Sequence, residues 1–187
     1  MSGSGPAGGQ ARRMPSLPDD GVATSTTIDP EILERLRRSG FRIDSEGEFQ
    51  HEGEPVRHEG LRRALFRWLD SLPDERTILR LDANRFAYVD VDDTPLVARA
   101  ARIDGGAILL ALSDGSEEPL VPASLRIDAA GVMRCRVRDG HLAARLTTSA
   151  AAVVADLVVE DPAGTLALVL DGLTFPLEIK KSPAKER

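Results

Sequence analysis

The chain has 187 residues, a single cysteine and a formal net charge of −6. The acidic balance argues against non-specific binding to nucleic acid, which depends on neutralising phosphates, and no apolar run approaches the roughly 18 residues of a membrane span. One cysteine excludes an intrachain disulfide and fits a reducing compartment, and Met1 to Gln10 lack the apolar core of an export signal, so we expect a soluble cytoplasmic protein.

The sequence divides into five parts. Residues 1–28 are rich in Gly, Ser, Pro and Thr and lack apolar periodicity, which predicts a disordered tail. A short helix then starts at Asp29, a typical N-cap residue, and ends at Gly40. The predicted parts are the N-terminal tail (1–28), the short helix with a first unit (29–95), a central hairpin and connector (96–122), a second unit (123–179) and a disordered C-terminal tail (180–187).

The first unit has the pattern of strand, turn, strand, helix and hairpin. Asp44 and Gly47 stand at the two ends of a predicted turn. Residues 58–72 carry leucines and a tryptophan at helical spacing, and Pro73 ends the predicted helix. The predicted strands of this unit are residues 41–44, 48–51, 77–81 and 86–91.

The central hairpin is predicted at residues 96–103 and 107–112, and the second unit follows it. Thr148 or Ser149 caps a helix that runs through Val159 and is apolar almost all round, which indicates burial under the sheets or in a contact between subunits. Pro176 indicates an edge strand. The predicted strands of this unit are residues 125–128, 132–133, 136–146 with a break at Asp139-Gly140, and 165–170 and 173–179 around Asp171-Gly172.

The two units predict an α+β fold. Arg-Ile-Asp occurs three times, and the copy at 102–104 is not followed by a helix, so the order of elements rather than the tripeptide indicates an internal duplication. The alternative is a chance similarity of Asp/Gly turns. We predict two pseudo-repeated strand–turn–strand–helix–hairpin units joined by a central β-hairpin, with mostly antiparallel sheets that each pack on one helix.

Four stretches carry a resemblance to a known family. They are Gly47 to Val56 followed by Leu65-Phe66, then Val91 to Leu96, Val137 to Ala144 and Thr174 to Leu177. In this order they resemble the motifs of a bacterial domain-of-unknown-function family, number 1285, over about residues 40–178. The resemblance implies an α+β fold of repeated motifs, no established activity and a suggested role in signalling or regulation.

The chain departs from that family at one place. Leu79 to Arg85 stands where members carry a Val-Thr-Pro-Val-Glu-Lys element. If that element lines a ligand site in the family, this chain has altered or lost the site.

The densest group of ionisable residues lies between His51 and Glu59. It contains two histidines and three glutamates, which are residue types that bind divalent metals. The two histidines are not spaced as a helical pair at i, i+4, and no further Cys or His follows nearby. A solvated loop and helix start is therefore the favoured interpretation, and we predict no metal or other cofactor.

The arginines between Arg57 and Arg85 form the one local basic zone of the chain. Guanidinium groups suit carboxylates and phosphates, so this zone could receive an acidic ligand or partner. The alternative is a solvated helix face that pairs with the surplus acids. Together with the two histidines, the candidate ligand-binding residues are His51, His58, Arg57, Arg62, Arg80 and Arg85.

Two other groups carry weaker chemical signals. Asp90, Asp92 and Asp93 could hold Mg²⁺ or serve acid–base chemistry, but an acidic turn before a proline is common. Cys135 lies between two arginines, which could lower its thiol pKa. On a strand its side chain points away from both neighbours, so we expect a buried core thiol.

We therefore predict a non-catalytic regulatory or binding module, with a small molecule or protein bound in a cleft between the two units. One alternative is a metal-dependent enzyme that uses residues 51–59. The other is a structural homo-oligomer, such as a homodimer, that uses the apolar helix at 150–159.

Overall fold

The computed structural model describes residues 37–162 and 164–179. Both predicted tails and most of the predicted first helix lie outside these residues. The first half contains β1 (Arg38–Ile43), β2 (Phe49–His51), β3 (Glu54–Pro55), α1 (Glu59–Trp68), β4 (Leu69–Ser71), β5 (Thr77–Arg80) and β6 (Phe86–Val91). The central part contains β7 (Leu96–Asp104), β8 (Ala107–Leu112), β9 (Glu117–Pro119) and a 3₁₀ helix (Pro122–Ser124). The second half contains β10 (Arg126–Ile127), β11 (Met133–Val137), β12 (Leu142–Leu146), α2 (Thr148–Ala155), β13 (Val158–Glu160), β14 (Leu166–Leu170), β15 (Leu173–Pro176) and β16 (Glu178–Ile179).

The strands form three sheets. A six-stranded sheet in the order β3-β2-β1-β6-β5-β4 contains all the strands of the first half. A seven-stranded sheet in the order β16-β10-β11-β12-β7-β8-β9 joins the central hairpin to the second half, and β13-β14-β15 form a smaller third sheet. The pairs β1–β6, β10–β16 and β12–β7 are parallel. The described chain is thus mostly β-sheet with two helices, in mixed and antiparallel sheets, which is consistent with the α+β class.

One continuous hydrophobic core runs through both halves. Phe49 of β2 meets Phe66 of α1 edge to face, with ring centroids 4.9 Å apart. From the other half, Leu142 and Val154 belong to the same buried cluster. Strands β8 and β12 alternate between buried and half-buried positions, as their apolar alternation predicts. The two halves therefore share one core rather than having two separate ones.

The turns that follow β1 and β10 are built in the same way. Asp44 Oδ1 accepts the N–H groups two and four residues further on, both at 2.9 Å. Asp128 Oδ1 accepts the equivalent two N–H groups at 2.9 and 3.0 Å. In each turn the second carboxylate oxygen accepts a hydrogen bond from the side chain six residues on, Gln50 or Arg134.

The order of connections also corresponds between the halves. In the first half β1 pairs antiparallel with β2 and parallel with the last strand, β6. In the second half β10 pairs antiparallel with β11 and parallel with the last strand, β16. The strand order of the first half, β3-β2-β1-β6-β5-β4, has a counterpart in the second half that is divided between two sheets. One sheet contains β12-β11-β10-β16 and the other contains β15-β14-β13. The break lies at Leu177, which separates β15 from β16.

The first long helix is shorter than its sequence pattern predicts. It ends at Trp68 instead of reaching Pro73, because residues 69–71 leave the helix and pair with β5. Leu69 is buried on strand β4, and an apolar residue at this position also fits the helical pattern. Its spacing therefore does not reveal that the helix has already ended. The predicted end of the preceding helix at Gly40 is also wrong, since residues 38–40 already belong to β1.

The second helix differs from its prediction in three ways. Its cap is Thr147, whose side chain accepts the Ala150 N–H, rather than Thr148 or Ser149. It ends at Ala155, and residues 158–160 form strand β13 instead of the end of the helix. Only Ala150 and Val154 are buried, so within the single chain the helix is buried on one face rather than all round, and its use in a contact between subunits stays a prediction.

The predicted hairpins are confirmed. The turn at 104–106 joins β7 to β8, and Asp171-Gly172 joins β14 to β15. Pro176 lies on β15, an edge strand of its sheet, where its missing N–H costs no ladder hydrogen bond. None of the helices in residues 37–162 and 164–179 has both the length and the apolar character that crossing a membrane requires.

Candidate functional site

The outer face of strands β10 to β12 carries four arginines. Side chains alternate across a strand, so core-facing positions such as Cys135 are fully buried. The opposite positions are occupied by Arg126, Arg134, Arg136 and Arg145. This arginine face lies against the first half of the molecule.

Three of these arginines bind acids that the first half supplies. Arg134 contacts Asp93 at 2.6 Å, and Arg145 contacts the other oxygen of the same carboxylate at 3.1 Å. Arg136 pairs with Glu75 in the connection between β4 and β5. The Asp93 side chain is only 26% exposed, so this group is less screened than an ordinary surface ion pair. These contacts attach the first half to the arginine face.

The fourth arginine, Arg126, has no such partner. Its side chain is half-buried, and it forms no ion pair or side-chain hydrogen bond with any residue in the part of the chain that the structure describes. Its neighbour across the parallel pair with β16 is Glu178, which is exposed and forms no ion pair with it. Arg126 therefore has a guanidinium that is free to bind another group.

Two adjoining cavities lie between the halves. The larger has a volume of about 620 Å³ and lies between β4, β5 and the β11–β12 turn. The smaller, of about 200 Å³, is lined by Thr77 from the first half and by Arg126 and Ala143 from the second. Both cavities share the lining residues Ser71, Glu75, Arg136 and His141. We call the two cavities together the junction groove.

A third cavity of about 670 Å³ adjoins the junction groove at Glu75, Thr77 and Val91. It is lined by β1, the β4–β5 connection and β6, so the first half alone forms it. The junction groove is the part of this surface to which both halves contribute side chains.

A chain of polar contacts crosses the larger cavity. The Asp70 carboxylate receives the Arg80 Nε–H at 2.5 Å and lies 3.3 Å from Nδ1 of His141 in the other half. Burial raises the pKa of Asp70, but hydrogen bonds from Arg80 and the Ser71 N–H outweigh it, so its pKa lies below the usual value. Asp70 is therefore ionised at neutral pH and orients both side chains.

Ser71, Asp70 and His141 are not arranged for nucleophilic catalysis. The Ser71 hydroxyl donates to the main-chain oxygen of His141 and not to its imidazole ring. A serine nucleophile needs a base within hydrogen-bonding reach of its own proton. This contact instead joins β4 to the β11–β12 turn.

Arg138 holds the β11–β12 turn against the rest of the protein. Its guanidinium donates to the Phe66 carbonyl at the end of α1, at 2.7 Å, and pairs with Asp114. The Asp114 side chain is only 4% exposed. Arg138 and Asp139 both adopt positive φ angles, 51° and 54°, which non-glycine residues rarely do. The turn that supplies His141 is thus kept in a strained conformation by buried polar contacts.

Among the six predicted ligand-binding residues, only Arg80 lines the junction groove. His58 caps α1, since its Nδ1 accepts the Leu61 N–H at 3.1 Å. His51 stacks on Phe41 with ring centroids 4.6 Å apart. The other predicted residues lie elsewhere: Arg57 is exposed before α1, Arg62 contacts Glu48 at 3.4 Å, and Arg85 pairs with Asp82 inside its own turn.

The structure does not bring the acidic groups into a metal site. No group of three or more His, Cys, Asp or Glu side chains in the described ranges is arranged to hold a metal ion. Asp92 binds Arg42, and Asp93 binds two arginines of the second half. The two histidines of residues 51–59 take up the separate capping and stacking roles given above.

The sequence interpretation missed the arginine face, although a signal for it exists. Arg134, Arg136 and Arg145 occupy alternate positions of the two strands β11 and β12, with Cys135 and Ala144 between them. This alternation predicts one basic face. It does not predict which acids meet that face, because those come from residues more than 40 positions earlier in the chain.

The prediction of a buried thiol at Cys135 is confirmed. The side chain is 0% exposed, and burial raises its pKa to about 12. Its flanking arginines point away from it. We expect iodoacetamide at pH 8 to leave the native protein unmodified and to alkylate Cys135 fully in urea. Mass spectrometry measures both states, and rapid native alkylation would contradict the described packing.

Comparison with known proteins supports the fold. No protein-family model and no curated protein matches the chain. A solved DUF1285 family protein from Silicibacter pomeroyi DSS-3 matches with a TM-score of 0.62 and 21% identity, over 75% of this chain and 80% of that one. Another, from Shewanella baltica OS155, matches with a TM-score of 0.53 and 15% identity, over 63% of this chain and 91% of that one.

The fold thus defines a class of β-rich proteins in which two packed halves share one core. Within that class, this chain has the fold of the DUF1285 family, as its sequence motifs predict. Identity at this level establishes the fold and leaves activity to be inferred from the site.

Proposed function

We propose that the protein is a non-catalytic regulatory or binding module whose ligand or partner occupies the junction groove. The observation that carries this proposal is that both halves line the two cavities of about 620 and 200 Å³. The larger cavity lies within the size range of small-molecule sites, which favour such junctions. A small molecule is the favoured occupant.

The position of the groove accounts for a regulatory role. A ligand between the halves contacts the β4–β5 connection on one side and the β11–β12 turn on the other. The ligand therefore stabilises the relative position of the halves that it binds most tightly, by an amount set by its difference in affinity between the positions. Such a change can be transmitted to a partner protein, which is a mode of signal transduction.

Three further statements complete the proposal. The two halves are copies of one ancestral unit, which the matching Asp44 and Asp128 turns and the matching order of connections support. The chain is a divergent member of the DUF1285 family, which its fold supports. It acts in the cytoplasm, which its one free cysteine supports.

A variant that fills the groove tests the proposal. Ala143 is half-buried and lines the smaller cavity, so Ala143→Trp is expected to block ligand entry without replacing a core residue. Thermal unfolding is measured with a panel of anionic, neutral and cationic metabolites. A ligand that stabilises the wild type should not stabilise Ala143→Trp.

The matched control is Ala152→Trp on the exposed face of α2. It should respond to the same ligands as the wild type. Ligand-induced stabilisation that is equal in all three proteins would place binding outside the groove and overturn the proposal.

A further inference from the structure

Asp70, Glu75, Asp93 and Asp139 line the junction groove together with three arginines, and one of these arginines is without an acid partner in the described part of the chain. Asp93 already binds two arginines, and Glu75 binds Arg136. Arg126 lines the same small cavity and has no acid partner among the described residues. A half-buried guanidinium without an acid partner gains more from an anion than an exposed one, because water screens the attraction less.

The surroundings of Arg126 supply further hydrogen-bond donors. Thr77 contributes a half-buried hydroxyl to the same cavity, and His141 contributes its imidazole. Arg136 shares the cavity, and its guanidinium contacts Glu75, whose side chain is 73% exposed. Donors thus come from β5 in the first half and from β10 and β11 in the second.

The size of the cavity limits what it can hold. About 200 Å³ fits a single phosphate or carboxylate group rather than a whole metabolite. The shared residues Ser71, Glu75, Arg136 and His141 connect it to the cavity of about 620 Å³, where Arg80 and Asp70 lie. The remainder of a larger ligand has room there.

We propose that Arg126 binds the oxyanion group, a phosphate or carboxylate, of a small acidic ligand whose remainder occupies the larger cavity. This proposal rests on the proposed function and names the ligand class of the same site. The planar guanidinium offers two parallel N–H groups to such an oxyanion, which a lysine in its place does not.

Isothermal titration of the full-length chain tests the assignment with three probes: inorganic phosphate, succinate and phenyl phosphate. Phosphate and succinate distinguish the two oxyanions, and phenyl phosphate tests whether an attached group adds affinity. Arg126→Ala should weaken the binding of the preferred probe at least about tenfold, which corresponds to about 1.4 kcal/mol. The affinity of Arg126→Lys for the same probe should lie between those of the wild type and Arg126→Ala, because lysine keeps the charge and lacks the two parallel N–H groups.

Arg67→Ala is the matched control, since Arg67 is an exposed arginine on α1 outside the groove. It removes the same charge and should leave affinity within about twofold of the wild type. Glu178→Gln removes the acid that stands opposite Arg126 in the parallel strand pair and should leave binding unchanged or tighter. Circular dichroism confirms that each variant is folded.

Several outcomes would overturn the assignment. Equal affinity in wild type and Arg126→Ala would show that the oxyanion binds elsewhere. Failure of all three probes to bind the wild type in the millimolar range would also overturn it. If neutral ligands then still stabilise the wild type and not Ala143→Trp, the junction groove remains the binding site and only the anion assignment fails. If every ligand that stabilises the wild type also stabilises Ala143→Trp, the proposed function fails together with the anion assignment.

Discussion

Replacing Arg138 with Ala is expected to lower the free energy of unfolding by about 3–5 kcal/mol, the usual loss when one partner of a buried ion pair is removed. Arg138 pairs with Asp114, whose side chain is 4% exposed, and donates to main-chain oxygens of Phe66 and Leu69. Without the guanidinium, a buried carboxylate and the end of α1 lose their donors. Urea unfolding followed by tryptophan fluorescence measures the change.

The control for this variant is Arg85→Ala, which removes an arginine from an exposed ion pair with Asp82. Exposed pairs contribute roughly 0–1 kcal/mol, so the control should lose little stability. A loss in Arg138→Ala that is no larger than in the control would contradict the description of Arg138 as the contact that holds the β11–β12 turn.

The effect of Arg138→Ala should also depend on pH. Burial raises the pKa of Asp114. Hydrogen bonds from Ser116 and the ion pair with Arg138 lower it by a larger amount, so the pKa of Asp114 lies below the ordinary 3.8. A depressed carboxyl pKa stabilises the folded state at pH values above 3.8, and this contribution is lost as the pH falls through the folded-state pKa. The stability difference between wild type and variant should therefore be largest near neutral pH and shrink in strong acid. A difference that stays constant down to pH 2 would contradict this origin.

Replacing Gly47 with Ala is expected to cost about 2–5 kcal/mol. Gly47 has φ +76°, a region that costs a residue with a side chain roughly 1–2 kcal/mol. An added Cβ would lie 2.9 Å from Ser113 Oγ and 3.0 Å from a methyl group of Val97. Ser113 is buried and accepts the Val97 N–H, so it cannot move aside freely, and such overpacking costs roughly 1–3 kcal/mol more.

The second half provides the matched control. Gly131 occupies the equivalent position of the Asp128 turn with φ +80°, and an added Cβ would meet no atom within 4 Å. Gly131→Ala should therefore cost only the conformational part, roughly 1–2 kcal/mol. Denaturant midpoints of both variants measure the difference. Equal losses at Gly47 and Gly131 would show that the contact of the first turn with the central hairpin contributes nothing.

Local signals in the sequence predict much of this fold. The Asp/Gly turns, the hairpins at 104–106 and 171–172, and the edge position of Pro176 follow from local backbone preferences, and the structure has all of them. The helix ends are less predictable. Leu69 and Val158 fit a helical pattern, but pairing with β5 and β14 draws them into strands. Those partners lie about ten residues further along, so helical spacing alone does not reveal them.

The candidate site is less predictable than the fold, for a physical reason. Sequence interpretation favours residues that cluster along the chain, such as His51 and His58. The junction groove instead joins Thr77 and Arg80 to Arg126 and His141, which only the packing of the two halves brings together. A cleft between the units was predicted, and the proposed function depends on it, but its lining residues could not be read from local spacing.

A titration of phenyl phosphate followed by two-dimensional ¹H–¹⁵N NMR tests the central claim most directly. If the ligand binds in the junction groove, the largest shift changes should fall on backbone amides of Thr77, Arg126, Arg136 and His141, in both halves. The same titration of Ala143→Trp should produce no such group of changes. Shift changes confined to the arginines of α1, or spread evenly over the surface, would contradict the claim.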